Sequence, residues 1–472
     1  MQKTKMIFTI GPASDNEEIL RKFIQIGMSV ARLNFSHGTH ETHKQKIDLI
    51  KKIRKELNSP TAIMLDIKGP KIRTHNFIDD EALLVDGHKF TFICDDEVLG
   101  DNERCSISYA DLYKDVAIGG SILVDDGLLK FRVDDIKGKH IICTVLVGGT
   151  IKNHKGVNVP NIDIHLPSIT DKDKEDLIFG CEMEVDFVAA SFVRKASDIV
   201  EVRNILNTHG GEHIQIIGKI ESQEGVNNID EILKEADGIM VARGDMGVEI
   251  PIERVPIIQK SIIKKCNEAG KVVITATQML DSMIRNSLPT RAEACDICNA
   301  IFDGTDAIML SGESASGAFP IEAATTMATI AQETEKHIDY VYLNQRLREP
   351  AMGDFTEAIS YSACRTSNVL NAKAIVAATT SGSTARLISK YRPKCPIIAI
   401  TPNEYVLRKL NLTFGIIPLL CEKFKTTDEI IVESKKVAKK LSCANDGDDI
   451  LIAAGFPTTH TAGTNMLKIE KV

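Results

Sequence analysis

The sequence predicts an α/β protein: a (β/α)8 TIM barrel, interrupted after its third strand by an inserted all-β lid domain and followed by a C-terminal α/β domain. Three observations predict it. Eight short apolar runs alternate with amphipathic stretches, the pattern of parallel strands buried on both faces. Each run ends in polar or special residues, and a barrel builds its active site at the C-terminal ends of its strands. The third and fourth runs are separated by far more chain than the rest, and so long a loop should be a domain of its own.

In order, the run 6–10 ends at Gly11-Pro12, the run 29–33 at Asn34-Phe35-Ser36-His37-Gly38, and the run 62–65 at Asp66. Between about 68 and 166, the segments 82–87 and 121–129 read as short strands, with turns expected at Asp126-Gly127 and Gly148-Gly149. Gly69-Pro70 at the entry, and Pro160 and Pro167 at the exit, are expected hinges for a closing lid. The barrel resumes with 187–190 before Ser191, 214–217 before Gly218-Lys219-Ile220-Glu221, and 238–241 before Ala242-Arg243-Gly244-Asp245. The last two runs, 272–274 and 307–310, reach Thr275-Ala276-Thr277-Gln278 and Ser311-Gly312-Glu313. A helical stretch at 356–369 then opens a new alternation with strands at 374–378, 397–400 and 449–453. The first of these ends in Thr379-Thr380-Ser381-Gly382-Ser383-Thr384 ahead of an amphipathic helix, a ready anion site. The expected domains are 1–68, 69–166, 167–338 and 339–472.

Composition bounds the function. At roughly 150 residues per domain, 472 residues suggest about three domains. Hydrophobic residues at 43% and charged residues at 26% are ordinary for globular chains. The 57 basic and 65 acidic side chains leave a net charge of -8, which argues against a nucleic-acid partner held by phosphate neutralisation. An anionic substrate would therefore need a locally basic site. Eleven scattered cysteines suit a reducing compartment. No apolar run reaches 18 residues and the N-terminus lacks a secretory apolar core, so no membrane association and a cytoplasmic location are expected. Cys295-Asp-Ile-Cys298 has redox spacing but falls within an expected helix, where a structural role is the reading.

The chemistry-bearing residues gather at strand ends. Arg32, Lys68, Lys71, Arg73 and Lys219 would converge as a basic cluster at the barrel mouth. Glu221 and Asp245 add two carboxylates, a donor set suited to Mg2+, which keeps waters and takes substrate oxygens. Glycines flanking Asp245 in Gly244-Asp245-Met246-Gly247 allow backbone N–H groups to approach a bound anion. Neither a Walker A sequence nor a dinucleotide fingerprint occurs.

Taken in order, several segments resemble the pyruvate kinase family over essentially the whole chain. They are Thr9-Ile10-Gly11-Pro12, Ala31 to His37 with Gly38, Leu65-Asp66 with Lys68-Gly69-Pro70, and Ala190-Ser191-Phe192. Lys219-Ile220-Glu221, Ala242-Arg243-Gly244-Asp245, Ala276-Thr277-Gln278-Met279-Leu280 and Pro289-Thr290-Arg291-Ala292-Glu293 complete the set. The resemblance implies phosphoryl transfer from phosphoenolpyruvate to ADP, giving pyruvate and ATP in glycolysis. It implies that Arg32 and Lys219 hold the phosphoryl group, and that Lys219 stabilises the enolate oxygen. Glu221 and Asp245 would bind Mg2+ or Mn2+. The Gly244 and Asp245 N–H groups and the Thr277 hydroxyl would receive the substrate carboxylate beside Ser191, with enolate protonation near Thr277 through water. Asn34, Ser36 and His37 would line the nucleotide side, with Arg73 and Lys172.

Two departures carry expectations. Many relatives bind potassium with residues matching Asn34, Ser36 and Asp66, a threonine and a glutamate; here the last two are Ile67 and Lys71. An isoleucine side chain cannot ligate an ion and lysine brings a fixed charge, so potassium should not be required. The loop Thr379, Thr380, Ser381, Gly382, Ser383, Thr384 matches the family's effector-phosphate site, yet the distal segment 456–463 carries no arginine, leaving a sugar phosphate or AMP as the effector. The C-terminal domain would thus be regulatory, and the resemblance implies a homotetramer. An alternative on the same barrel is a Mg2+-dependent 2-oxo acid lyase, which would need neither lid nor nucleotide segment.

Overall fold

The computed structural model describes residues 2–160, 162, 164–340, 343, 350, 353–456 and 463–472. Eight parallel strands close into a barrel: β1 Lys5–Thr9, β2 Met28–Asn34, β3 Ala62–Asp66, β4 Phe187–Ala190, β5 Gln215–Ile220, β6 Gly238–Ala242, β7 Val272–Ala276 and β8 Ala307–Leu310. All eight expected apolar runs are barrel strands. They follow one another around the ring, and β8 closes on β1 with Lys5 opposite Ala307.

The pleat decides what fills the barrel. Alternate residues face inward, and the inward set of the lower layers is apolar: Ile7, Val30, Met64, Ala189, Ile217 and Met240 form one fully buried cluster. Two residues further along five of these strands, the same inward parity brings Thr9, Arg32, Asp66, Ser191 and Lys219 into the top layer. All five are buried. The outward parity packs against the surrounding helices in a second, larger cluster that includes Leu33, Leu65, Ile216 and Ile220.

Between β3 and β4 lies the inserted lid. Its six-stranded sheet contains Lys89–Ile93, Arg104–Ser106, Ser121–Val124, Leu129–Lys137, His140–Val147 and Val157–Asn158, and Glu81–Leu84 pairs separately with Gly149–Lys152. Phe90, Phe92 and Phe131 pack ring against ring at its centre, with centroids 5.0 to 5.3 Å apart. At the turn between Val124 and Leu129, Asp125, Asp126 and Gly127 all have positive φ, the geometry a tight hairpin needs.

The C-terminal sheet has five strands: β9 Ala374–Ala378, β10 Ile397–Thr401, β11 Ile416–Leu420, β12 Asp449–Ala454 and β13 Met466–Lys471, in the order β11-β10-β9-β12-β13. The sequence reading found the three central strands and missed both edges. Pro418 sits in β11, where a missing N–H is tolerated because one side of an edge strand has no partner. β13 runs antiparallel to β12 and mixes three apolar with three charged residues, without a long apolar run. This domain closes the bottom of the barrel: Leu412 is fully buried within the barrel's own interior cluster. Among the described residues no helix is long and apolar enough to cross a membrane.

Candidate active site

The mouth of the barrel holds a compact charged layer. Arg32 Nε donates to Asp66 Oδ2 at 2.6 Å, and its Nη1 reaches Thr9 Oγ1 at 2.8 Å. Lys219 Nζ lies 3.2 Å from Asp66 Oδ1, 2.6 Å from Ser191 Oγ and 3.1 Å from Glu221 Oε1. Strand register makes these contacts possible. Asp66 ends β3, paired with Asn34 of β2 and Ala189 of β4, so its carboxylate reaches Arg32 on β2 and, across β4, Lys219 on β5.

Electrostatics fix the charge states. Burial opposes ionisation of Asp66, but Arg32 and Lys219 more than offset it and hold the carboxyl below its usual range. Burial likewise opposes the Lys219 charge, and Asp66 and Glu221 outweigh it, raising that ammonium's pKa. Glu221 is different. Burial pushes it up to about 7, with Asp245 and Asp66 repelling its charge and Lys219 only partly compensating. Its Oε2 accepts from the Phe192 N–H at 2.7 Å, while the buried Oε1 has no hydrogen-bond donor although Lys219 lies within ion-pair distance. A buried carboxylate with an unused lone pair, near a second, partly exposed carboxylate, fits a hard divalent cation that keeps other positions for water and substrate oxygen. Glu221 and Asp245 therefore suit Mg2+. Among the described residues no group of three or more His, Cys, Asp or Glu side chains forms a denser cage.

Beside this layer, the short helix Arg243–Glu249 after β6 meets the loop after β7. The Gly244 N–H donates to Thr277 Oγ1 at 2.8 Å, and that hydroxyl donates to the Ala276 carbonyl at 2.6 Å. Thr277 and Gln278 have φ of +66° and +54°, left-handed values that cost energy for a β-branched residue and cluster at functional sites. With Gly244 and Thr277 bonded to each other, the Thr277 hydroxyl must turn before either group can receive an anion.

The other expected residues fall in three places. Asn34 Oδ1 accepts from the Ser36 N–H at 3.1 Å, and the His37 carbonyl meets the His43 ring at 2.8 Å, so this loop is held by its own polar groups. Lys172 donates to the Phe35 carbonyl at 2.8 Å, beside it. Burial, Arg73 and Lys172 together lower the pKa of Lys68, the mark of a cationic cluster beside this loop. Arg73 itself sits at the root of the lid, donating to the His154 carbonyl at 2.9 Å. Lys71 is brought elsewhere than sequence grouping suggested. Its ion pairs are with Asp245 at 3.1 Å and the lid's Asp126 at 3.5 Å; among the described residues no hydrogen bond joins it to Asn34, Ser36 or Asp66.

Far from the mouth, the loop after β9 turns at Gly382, φ +86°, into the helix Ser383–Lys390. Thr379 Oγ1 accepts from the Gly382 N–H at 2.9 Å, the Ser381 and Ser383 hydroxyls lie 3.0 Å apart, Thr380 is exposed, and Thr384 bonds Thr464 at 2.6 Å. Residues 457–462, most of the distal segment, lie outside those described. Sequence reasoning passed over two residues at the mouth: Asp126, brought there only by the lid's fold, and Arg243, whose charge directly after an apolar strand was a usable signal.

Comparison with known proteins agrees with the fold and the site. The family descriptions "Pyruvate kinase, barrel domain" and "Pyruvate kinase, alpha/beta domain" match residues 1–324 and 357–470. The chain is 68% identical to a pyruvate kinase of Clostridium perfringens over 474 residues and 57% to one of Clostridium acetobutylicum over 472, covering all of both proteins. It is 50% identical to a Geobacillus stearothermophilus pyruvate kinase, of which it covers 80%. A crystal structure of a pyruvate kinase from Cryptosporidium parvum superposes with a TM-score of 0.95 at 42% identity, over 100% of this chain and 96% of that one.

Proposed function

The chain belongs to the pyruvate kinase family and is a phosphotransferase, and from that premise we propose how its own residues carry the phosphoryl group of phosphoenolpyruvate to ADP in glycolysis. Phosphoryl transfer is mostly positioning plus neutralisation of the moving charge. Arg32 and Lys219, fixed by Asp66 on the floor of the mouth, hold the phosphoryl oxygens. As the phosphorus–oxygen bond to the enol breaks and a bond to the terminal phosphate oxygen of ADP forms, Lys219 stabilises the enolate oxygen. The Gly244 and Asp245 N–H groups and the Thr277 hydroxyl orient the substrate carboxylate beside Ser191. A water held near Thr277 then protonates the enolate carbon to give pyruvate. Glu221 and Asp245 hold Mg2+ or Mn2+, which when bound supplies charge neutralisation. Asn34, Ser36, His37, Arg73 and Lys172 face ADP. The observation that carries this reading is the switch of the inward barrel layer from apolar side chains to Thr9, Arg32, Asp66, Ser191 and Lys219 at the strand ends.

Potassium is not needed in this reading. The Ile67 side chain offers no ligand and Lys71 sets a fixed positive charge among the mouth carboxylates. The division at 1–68, 69–166, 167–338 and 339–472 assigns the insert to lid closure and the C-terminal part to control. There the hydroxyls of Thr379 to Thr384 suit a phosphorylated effector, a sugar phosphate or AMP. A cytoplasmic homotetramer completes the proposal.

Replacing Lys219 by Met tests the core of it. Pyruvate formation from phosphoenolpyruvate and ADP with Mg2+ should fall by at least about a thousandfold, while the circular dichroism spectrum is unchanged. Turnover within about tenfold of the parent would remove Lys219 from the reaction.

A further inference from the structure

Thr277 leaves β7 in a conformation its own side chain opposes, and something must hold it there. The Arg243 guanidinium spans the strained turn. Its Nε donates to the Ala276 carbonyl at 3.2 Å and its Nη2 to the Thr277 carbonyl at 2.6 Å. Nη1 reaches Asp296 Oδ2 at 2.6 Å, on the helix Arg291–Asp303, and Gln259 Oε1 at 3.4 Å. The side chain is 11% exposed, so the fork is set in a mostly dry site. Arg243 also directly precedes Gly244, whose N–H meets the Thr277 hydroxyl. One residue thus fixes the spacing between the helix Arg243–Glu249, which carries Asp245, and the loop that carries Thr277.

We propose that Arg243 is a positioning residue: braced by Asp296, its planar fork holds the Thr277 turn in its strained form and so sets where the Thr277 hydroxyl meets the substrate. This rests on the role given to Thr277 above. A lysine would keep the charge and lose the fork, since an ammonium is a point donor and cannot serve two successive carbonyls and a carboxylate with the same geometry.

Arg243→Lys should lower kcat by about 10- to 100-fold, the size of a lost charge-assisted contact or a small misplacement of a reacting group, and leave the KM for ADP unchanged. Solvent exchange of the pyruvate methyl protons should fall by the same factor. Asp296→Asn, which keeps the shape of the brace, should lose less in the same direction and stands in if Arg243→Lys folds poorly. The deciding readout is a double-mutant cycle: on a Thr277→Ala background, Arg243→Lys should cost less than about twofold. Additive losses, or single variants within about twofold of the parent, overturn the role of Arg243 alone. A Thr277→Ala enzyme with normal turnover and exchange overturns the role of Thr277 and this one with it.

Discussion

Lys71 illustrates what one side chain carries and what it hides. That an isoleucine and a lysine stand where the family resemblance implies an ion-binding threonine and glutamate could be read from the sequence. Its partner could not. A four-carbon stem at the lid root can reach any carboxylate within several ångströms, and the fold offers Asp245 and Asp126. Burial opposes the Lys71 charge, but Asp245 and Asp126 outweigh it and raise its pKa, so the ammonium is a permanent cation near neutral pH. Asp66, by contrast, was legible in place, because inward parity two residues beyond Met64 leaves it no other destination, but not in its pairing with Arg32 and Lys219, which the sequence did not suggest. The strain at Thr277 was invisible in the sequence, since no glycine marks the positive φ.

At the scale of elements, the barrel strands announced themselves because burial on both faces demands unbroken apolar runs, and each ends where polar residues begin. Edge strands lack that demand, which is why Pro418 in β11 and the mixed β13 escaped. The loop after β9 is expected to be an anion site from its hydroxyls and Gly382. In the structure the Ser381 and Ser383 hydroxyls are paired with each other and Thr384 with Thr464. A phosphorylated effector would exchange those contacts for its own oxygens. Activation by glucose 6-phosphate or AMP should therefore vanish in a Ser381→Ala, Thr384→Ala double variant whose unactivated turnover matches the parent. Undiminished activation by either would place the effector elsewhere.

Over the whole molecule, what joins the C-terminal domain to the barrel is a set of buried ion pairs beneath the barrel floor. Asp186, at the start of β4, accepts from Arg408 Nε at 2.6 Å and lies 3.4 Å from Arg54. Asp306, just before β8, accepts from Arg392 at 3.0 Å and from the Phe414 N–H at 3.2 Å. Asn411 donates to the Ser29 and Pro60 carbonyls at 3.0 and 3.2 Å, and Lys5 donates to the Ile416 carbonyl at 2.6 Å. Domain order was legible from chain length between runs. This joint was not, because Asp186 and Arg408 are 222 residues apart and each alone reads as a surface charge. Removing the Asp186 carboxylate strands two cations and the Ile63 N–H that it also accepts from at 2.9 Å. Asp186→Ala should cost about 3–5 kcal/mol of stability in urea unfolding. A loss under about 1 kcal/mol would mean that the joint is solvated and weak.

In the proposed reaction a fixed lysine charge at the barrel mouth serves phosphoryl transfer in place of a mobile cation. This role is tested most directly by pyruvate formation from phosphoenolpyruvate and ADP with Mg2+ in potassium-free buffer, before and after potassium is added, for the parent and for Lys71→Glu. Full turnover by the parent is expected without potassium, changing less than about twofold on addition, with a Lys71→Glu enzyme that works only once potassium is present. A parent that needs potassium, or a Lys71→Glu enzyme equally active without it, would contradict the account.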